Sequence, residues 1–170
     1  MEFWDIYDAD KKPTGRTMKR NDWCLKDGEY HLTVLGVVAR PDKTFLITKR
    51  VMTKAWAPGW WEVSGGAAQA GEESREAVLR EVKEETGMTV TQAEYLFSLP
   101  NIYIYSGFPV HTLDLFFRCT VADTLHFEAM DDAAEVFFLP LKDIHPEDFG
   151  LFQLFQNPFC TFVSFAYKSL

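Results

Sequence analysis

The segment from Gly66 to Met88 constrains the fold of this 170-residue chain more than any other. Its part from Gly71 to Thr86 holds neither proline nor glycine after its first residue and is rich in Glu, Ala, Arg and Lys, so we predict a helix over 71–86. Gly87 suits the end of that helix, because glycine readily adopts the left-handed conformation found there.

The predicted helix carries three carboxylates on one face. Glu81, Glu84 and Glu85 lie at positions i, i+3 and i+4, where helical side chains are neighbours. Like charges at this spacing destabilise a bare helix by about 0.2–0.5 kcal/mol per pair. Hard divalent cations offset that repulsion, since Mg²⁺ prefers carboxylate oxygen. The alternative is a solvated face whose carboxylates pair with cations of the same helix, namely Arg75, Arg80 and Lys83.

The composition is that of a globular protein and argues against a polymeric nucleic acid as partner. Hydrophobic residues make up 47% of the chain and aromatic residues 15%, more than disordered chains contain. Acidic residues number 25 against 17 Lys and Arg, and the net charge of −8 repels a phosphate backbone. A small phosphate ligand remains compatible with this charge where divalent cations bridge it to the protein.

The cysteines and the apolar runs predict a cytoplasmic protein that does not enter a membrane. Cys24, Cys119 and Cys160 are odd in number and widely spaced, which suits a reducing compartment better than a disulfide framework or a thiolate zinc site. Residues 1–5 lack the basic and apolar regions of a signal peptide. Apolar runs such as 32–39 are far shorter than the ~20 residues that span a bilayer.

Strand patterns flank the predicted helix on both sides, and we predict a single domain over residues 1–170. The predicted strands are Phe3–Tyr7, His31–Ala39, Thr44–Thr48 as the hairpin return of the strand before it, Trp60–Val63, Thr89–Leu99, Val110–Val121 and Glu135–Leu139, followed by a short helix at Pro140–Ile144. Asn157 and Pro158 suit the start of a terminal helix, whose apolar stripe lies in the Phe-rich tail 151–167.

The segment 66–88 contains every fixed position of the motif G-x5-E-x7-R-E-U-x-E-E-x-G-U, in which U is an apolar residue. Those positions are Gly66, Glu72, Arg80, Glu81, Val82, Glu84, Glu85, Gly87 and Met88. Seven specified identities coincide by chance about once in 10⁹ windows. The chain therefore resembles the Nudix family, whose signature is this motif, the Nudix box. The resemblance implies an α/β fold of the Nudix type, an α/β/α sandwich with a mixed β-sheet.

The resemblance also implies what the box residues do. One or more Mg²⁺ or Mn²⁺ ions would sit on the box carboxylates and on a carbonyl of the glycine turn, and the implied ligands are Glu81, Glu84, Glu85 and Gly65 or Gly66. Arg80 would orient the neighbouring carboxylates, and Glu72 would hold the junction of loop and helix. Metals would neutralise a diphosphate and lower the pKa of a bound water, with Glu81 as first candidate for the general base.

A further acidic residue is expected on the loop before the last strand, as a metal ligand or a base. Asp131 and Asp132 are best placed, and Glu128 and Glu135 are the alternatives. A charged loop exposed to solvent explains these side chains equally well.

The N-terminal residues resemble the isopentenyl-diphosphate-isomerase-like branch of the family, which has an extra β-hairpin before the core. The similar stretches are 4–8, 13–16 and 29–34, so residues 1–28 are expected to form that N-terminal hairpin extension. True isomerases need a cysteine in the strand leading into the box and carry a degraded box, whereas here 60–66 has no cysteine and the box is intact. His31 is either a metal ligand, as such histidines are in isomerases, or a structural residue that starts a strand.

Residues that precede the box offer candidate contacts to a substrate. Trp60 and Trp61, together with Trp56, either stack on a base or pack in the core. Three cations either pair with phosphates or are ordinary hairpin charges, and these are Lys49, Arg50 and Lys54.

The sequence thus predicts a divalent-metal-dependent hydrolase that cleaves a nucleoside diphosphate linked to another moiety. It would act on a small molecule as a monomer or a homodimer. Two alternatives stay open: an isomerase of isopentenyl diphosphate, and a domain that senses a nucleotide without turning it over. The box does not identify the base or the bond cleaved, because specificity lies in loops outside it.

Overall fold

The computed structural model describes residues 1–54, 57–105 and 107–149. These residues form nine strands, one α-helix and two 3₁₀ turns. The strands are β1 (Phe3–Asp8), β2 (Pro13–Lys19), β3 (Glu29–Val38), β4 (Thr44–Arg50), β5 (Trp61–Glu62), β6 (Gly65–Ala67), β7 (Val90–Tyr105), β8 (Phe108–Val121) and β9 (Ala133–Pro140), the helix is α1 (Ser74–Thr86), and the 3₁₀ turns are Leu141–Asp143 and Pro146–Asp148. Every predicted strand is present, and the short helix predicted at 140–144 is the first 3₁₀ turn.

Strands β1 and β2 form the predicted N-terminal hairpin. This hairpin is part of a six-stranded sheet, because β1 also pairs with β3. The strand order is β2-β1-β3-β8-β7, and β6 also pairs with β3. Strands β3 and β8 run parallel from the His31–Thr112 pair to the Val38–Cys119 pair, whereas the other neighbours are antiparallel. The sheet is therefore mixed, as predicted.

Strand β4 does not return alongside β3, so the predicted hairpin was wrong. The two strands meet only through one antiparallel bridge, between Ala39 and Phe45. Beyond it β4 pairs with β5 and β9 in a second, three-stranded sheet. The short connection permits a hairpin, but the edges of β3 are taken by β1 and β6 on one side and β8 on the other.

Helix α1 begins three residues later than predicted and ends where predicted. Glu73 is extended, with φ −67° and ψ 140°, so the helix begins at Ser74 rather than at Gly71. Gly87 has φ 72°, and its amide donates to the carbonyl of Lys83 at 2.9 Å. This left-handed end is the one expected of glycine.

The two faces of β3 build different parts of the molecule. Val34 packs with Val78 and Val82 of α1 in one hydrophobic cluster. Leu35, its neighbour, packs in a second cluster with Ile47 of the second sheet. Successive side chains of a strand point to opposite faces, so the odd-numbered residues of β3 face the second sheet. That face also carries the polar residues His31 and Thr33.

The terminal helix predicted from Asn157 onward lies outside the described residues, as do Cys160 and Trp56. No helix of the described part is long and apolar enough to cross a membrane.

Candidate active site

A cavity of about 360 Å³ lies between β3 and β8 of the first sheet, the turn before α1 and the loop before β9. That volume suits a small-molecule ligand. The predicted site residues that line it are Arg50, Gly65, Gly66, Arg80, Glu81, Glu84, Glu85, Asp131 and Asp132. The fold thus brings residues that precede α1 in the sequence together with residues of α1 and residues that follow it.

Arg80 holds three carboxylates and one carbonyl of this wall. Its Nε and Nη2 donate to the two oxygens of Glu72 at 2.8 and 2.9 Å. Its Nη1 donates to Glu81 at 2.7 Å and to Glu84 at 3.0 Å, and Nη2 also reaches the carbonyl of Ala67 at 3.1 Å. The planar guanidinium suits this role, because its five donors form a rigid fork. Its hydrogen bonds hold the pKa of Glu72 below the ordinary value.

Glu85 is buried and held from the strand side of the cavity. Ser64 Oγ donates to Glu85 Oε2 at 2.7 Å, and the amide of Gly65 donates to the same oxygen at 3.3 Å. Burial raises the pKa of Glu85 well above its ordinary value, and the charges of Glu62 and Glu81 raise it further. A cation bound beside Glu85 would stabilise its ionised form, because the carboxylate is buried and lies near other carboxylates.

Glu62 is a further buried carboxylate of this wall, which the sequence analysis did not single out. It lies on β5, is 9% exposed, and its two oxygens accept from Arg50 Nη1 at 2.9 and 3.2 Å. Burial nevertheless raises its pKa to about 7, because removal from water outweighs the attraction of Arg50. The signal in the sequence was an acidic residue between two apolar neighbours, Trp61 and Val63.

We predict that the metal-free protein is more stable near pH 6 than near pH 8. The pKa of Glu62 is about 7 in the folded protein against an ordinary value of 4.5, so the folded state binds the proton first as the pH falls. The free energy of unfolding therefore decreases as the pH rises through this window. Thermal melts in a chelator measure it. Glu62→Gln should reduce the difference, whereas the exposed control Glu73→Gln should not; an unchanged pH dependence in Glu62→Gln would contradict the assignment.

The two glycines of the turn allow the backbone to approach both β3 and the carboxylate of Glu81. A Cβ at Gly66 would lie 2.6 Å from the Glu81 carboxylate carbon, and a Cβ at Gly65 would lie 2.0 Å from the carbonyl oxygen of Val34. At Gly65 the neighbour is backbone, so only glycine fits, whereas a side chain at Gly66 would displace the Glu81 carboxylate. Glu81 thus lies against the bare backbone of the turn, and its burial raises its pKa although Arg80 lowers it.

The donor set at this wall consists of hard carboxylate oxygens, which suit Mg²⁺ or Mn²⁺. Within the described ranges, no three acidic, histidine or cysteine side chains converge closely enough to enclose a metal ion. Arg80 binds Glu81 and Glu84, while Ser64 binds Glu85. In this arrangement the arginine supplies the compensating charge.

A model of the NUDIX domain matches residues 29–157, more than half of the chain. The match includes the glycine turn and the helix that build the carboxylate wall. The chain belongs to the Nudix family. In this Nudix domain, Glu81, Glu84 and Glu85 of the box form one wall of the cavity. Arg80 links two of them to Glu72 by hydrogen bonds.

Known Nudix proteins share parts of this sequence and its fold. A protein of Listeria innocua named uncharacterized Nudix hydrolase lin0387 is 41% identical over 91 residues, which are 53% of this chain and 53% of that protein. The chain spans about half the length of the curated relatives it matches. DR0079 of Deinococcus radiodurans has a TM-score of 0.62 at 19% identity, covering 83% of this chain and 85% of its own. The MutT protein of Methanosarcina mazei Go1 has a TM-score of 0.57 at 20% identity, covering 82% and 91%. At about 20% identity, the likeness to these two structures shows the fold alone.

The Nudix domain places the predicted cations differently. Lys49 does not line the cavity, because it forms an ion pair with Glu135 across β4 and β9 at 2.8 Å. Arg50, the next residue, lines the cavity and pairs with Glu62. Alternation along a strand separates the two neighbours. Lys54 also lines the cavity.

Trp60 and Trp61 do not line the cavity. Trp61 makes edge-on contacts with Phe137 and Phe149, at centroid distances of 5.3 and 6.1 Å. Core packing, one of the two interpretations of this residue, therefore accounts for it. Trp60 is half-buried beside it.

The loop before β9 places both predicted aspartates at the rim of the cavity. Asp132 forms an ion pair with Lys54 at 2.6 Å, so that lysine already has a partner. Asp131 is exposed and has φ 48°. Glu128 does not line the cavity; its backbone amide donates to the carbonyl of Thr86 at 3.0 Å.

His31 lies in the floor of the cavity and is only 3% exposed. Its ring stacks on Trp4, with centroids 4.4 Å apart and planes at 13°. Burial lowers its pKa to about 4, so the ring is neutral near pH 7. Neither ring nitrogen has a hydrogen-bond partner in the part of the chain that the structure describes. A purely structural role explains the stacking but leaves both nitrogens unsatisfied.

Asp114 is a second polar residue that the sequence analysis missed. It lies on β8, is 4% exposed and lines the same cavity. Its carboxylate accepts hydrogen bonds from Thr33 Oγ1 and from Asn101 Nδ2, the latter at 3.4 Å. Burial raises its pKa, while these hydrogen bonds act in the opposite direction. An aspartate inside a strongly apolar strand was the available signal, because strands disfavour Asp.

Proposed function

We propose that this Nudix domain is a divalent-metal-dependent hydrolase of a nucleoside diphosphate linked to another moiety. The observation that carries the proposal is the wall in which Arg80 holds Glu72, Glu81 and Glu84 at the cavity that also buries Glu85. Family membership supports it, and so does the name Nudix hydrolase that the relative from Listeria innocua bears.

The carboxylates of this wall fit Mg²⁺ or Mn²⁺. Burial and mutual repulsion raise the pKa of Glu81 and of Glu85, so a cation would relieve both. The residues that would hold it are Glu81, Glu84, Glu85 and a carbonyl of Gly65 or Gly66. When bound, the metal would neutralise the diphosphate and make a bound water more acidic.

The chain's own residues would position the reactants and move the proton. Glu81 would accept the proton of the attacking water, since burial gives its carboxyl a raised pKa suited to a general base. Arg80 is a positioning residue, because its Nη1 bonds fix both Glu81 and Glu84. Arg50 and Lys54 line the same cavity and would attract phosphate oxygens. Asp131 and Asp132 are the candidates for an additional acidic group.

The isomerase-like branch remains a narrower proposal that rests on the sequence of the N-terminal hairpin. Strands β1 and β2 form an antiparallel hairpin. The strand β5 and the turn after it contain no cysteine, and the box is intact. Both departures favour hydrolysis over isomerisation in a chain with that hairpin.

A substrate screen with Mg²⁺ or Mn²⁺ tests the proposed hydrolysis. The panel comprises nucleoside triphosphates, nucleotide sugars, ADP-ribose, dinucleoside polyphosphates, NADH, coenzyme A and isopentenyl diphosphate. Phosphate released after phosphatase treatment reports hydrolysis, and a separate product analysis reports isomerisation. We expect metal-dependent hydrolysis that a chelator abolishes. Tight nucleotide binding without turnover would instead favour a sensor, and isomerisation without phosphate release would favour the isomerase.

A further inference from the structure

The floor of the cavity changes character along one face of the first sheet. On β3, His31 and Thr33 precede Leu35 on the same face, and on β8, Asp114 is the register partner of Thr33. Leu35 packs under the second sheet at the edge of the cavity, and the polar residues line the cavity beyond it. The polar side chains are therefore confined to the part of this face that the second sheet leaves uncovered.

Asp114 keeps free acceptor capacity on this floor. A carboxylate has about four acceptor sites. Thr33 and Asn101 donate to Asp114, and the Thr112 hydroxyl is a third donor beside it, so about one acceptor site remains. No cationic side chain of the described part forms an ion pair with Asp114, whereas Glu62 pairs with Arg50. A buried carboxylate with a spare acceptor site suits a ligand that brings an N–H donor.

Aromatic rings line the same cavity as this carboxylate. His31 stacks on Trp4, and Trp23 lies 6.3 Å from Trp4 between ring centroids; all three line the cavity. The nitrogens of His31, buried and without a partner in the described ranges, add one donor and one acceptor for a neutral ring. Aromatic faces with a few convergent polar groups are typical of a pocket for a planar heterocycle.

We propose that Asp114 is the specificity-determining residue for the group attached to the diphosphate, and that this group is a nucleobase bearing an amino group. The inference rests on the proposed function, because it identifies the nucleoside of the proposed substrate. An apolar isoprenoid chain would leave both ring nitrogens of His31 and the spare acceptor capacity of Asp114 unsatisfied, which is unfavourable. Uracil and thymine present an acceptor where cytosine and adenine present an amino group, so Asp114 selects against them.

Binding of nucleosides in a chelator tests this inference without any turnover. Trp4 and Trp23 line the cavity, so tryptophan fluorescence is titrated with adenosine, guanosine, cytidine and uridine. We expect at least one amino-bearing nucleoside to bind about tenfold or more tightly than uridine. In Asp114→Asn, where an amide N–H replaces an acceptor, that nucleoside should bind about tenfold more weakly, and uridine should bind as well as before or better.

Two further variants keep the test decisive. Asp27→Asn, an exposed change outside the cavity, should leave all four affinities unchanged. Thr112→Val removes a buried hydroxyl that lies beside the Asp114 carboxylate, with little change in shape. Because it alters the hydrogen bonding of the same carboxylate, it should weaken binding of the preferred nucleoside about threefold even if Asp114→Asn does not fold. Equal binding of the four nucleosides, no detectable binding of any, or a uniform loss in Asp114→Asn would overturn the inference.

The hydrolysis assay separates this inference from the proposed function. If both hold, Asp114→Asn changes the ratio of kcat/KM between amino-bearing and uridine substrates while metal-dependent turnover persists. If the base preference appears in binding but no substrate is hydrolysed, the proposed function fails and the assignment of Asp114 stands. If hydrolysis occurs with no base preference, the proposed function stands and the assignment of Asp114 fails.

Discussion

Replacing Glu84 with glutamine should lower kcat/KM about a thousandfold, equivalent to about 4 kcal/mol of transition-state stabilisation. Glutamine keeps the shape of the side chain but has no charge to bind a divalent cation. The fold should survive, because the Glu84 side chain is 47% exposed and its hydrogen bond to Arg80 is 3.0 Å long. Steady-state kinetics on the substrate found in the screen, with Mg²⁺, measure the effect.

The matched control for this change is Glu76→Gln on the same helix. Glu76 is exposed in the first turn of α1 and does not line the cavity. Glu76→Gln removes the same charge from the same helix. If its activity stays within about twofold of that of the original protein, the loss in Glu84→Gln reflects the position of Glu84 and not the net charge of the helix. Full turnover by Glu84→Gln would show that Glu84 is not a metal ligand, and it would count against the proposed hydrolase function.

Local sequence was enough to predict the elements around the box. Helix α1 could be predicted because its propensity, its closing Gly87 and its spacing of carboxylates are properties of neighbouring residues. The same is true of strand β8, which is rich in apolar and β-branched residues. The hairpin β1–β2 was expected only from the resemblance of the N-terminal residues to one branch of the family. The start of the helix was predicted three residues too early, because Glu73 makes no side-chain cap hydrogen bond and adopts an extended conformation.

Pairing between distant strands could not be predicted in the same way. The sequence between β3 and β4 is short enough for a hairpin, yet β3 instead pairs with β8, more than seventy residues later. Such contacts depend on which edges are already occupied, and no local pattern records this. The polar floor follows from that pairing, since Thr33 meets Asp114 only in the parallel register of β3 and β8. Glu62 was missed for a related reason: its burial depends on the second sheet.

The Arg80 network joins the stability of this domain to its chemistry. The side chains of Glu72 and Glu81 are 16% and 13% exposed, and both carboxylates depend on Arg80 for compensation. Removing one member of such a network leaves the others as buried charges without a partner. The arginine therefore stabilises the loop that leads into α1 at the same time as it positions the carboxylates proposed to bind metal.

Replacing Arg80 with glutamine should destabilise the metal-free protein by about 3 kcal/mol. For a chain of this size, that change corresponds to a Tm lower by about 6–12 °C. Glutamine retains helix propensity, so the loss would reflect the carboxylates and not the helix itself. Thermal unfolding in a chelator measures it, with the exposed change Arg75→Gln as the control that should shift Tm by about 1 °C or less.

Adding Mg²⁺ to the same two variants tests whether a metal can take over the charge that Arg80 supplies. A ligand that binds only the folded state raises Tm according to its affinity. Without Arg80 the carboxylates Glu81 and Glu84 are uncompensated, so Mg²⁺ should raise the Tm of Arg80→Gln by more than that of Arg75→Gln. An equal rise in both would mean that the metal and the arginine act on different carboxylates, and an Arg80→Gln protein as stable as the original would mean that the network does not hold the loop.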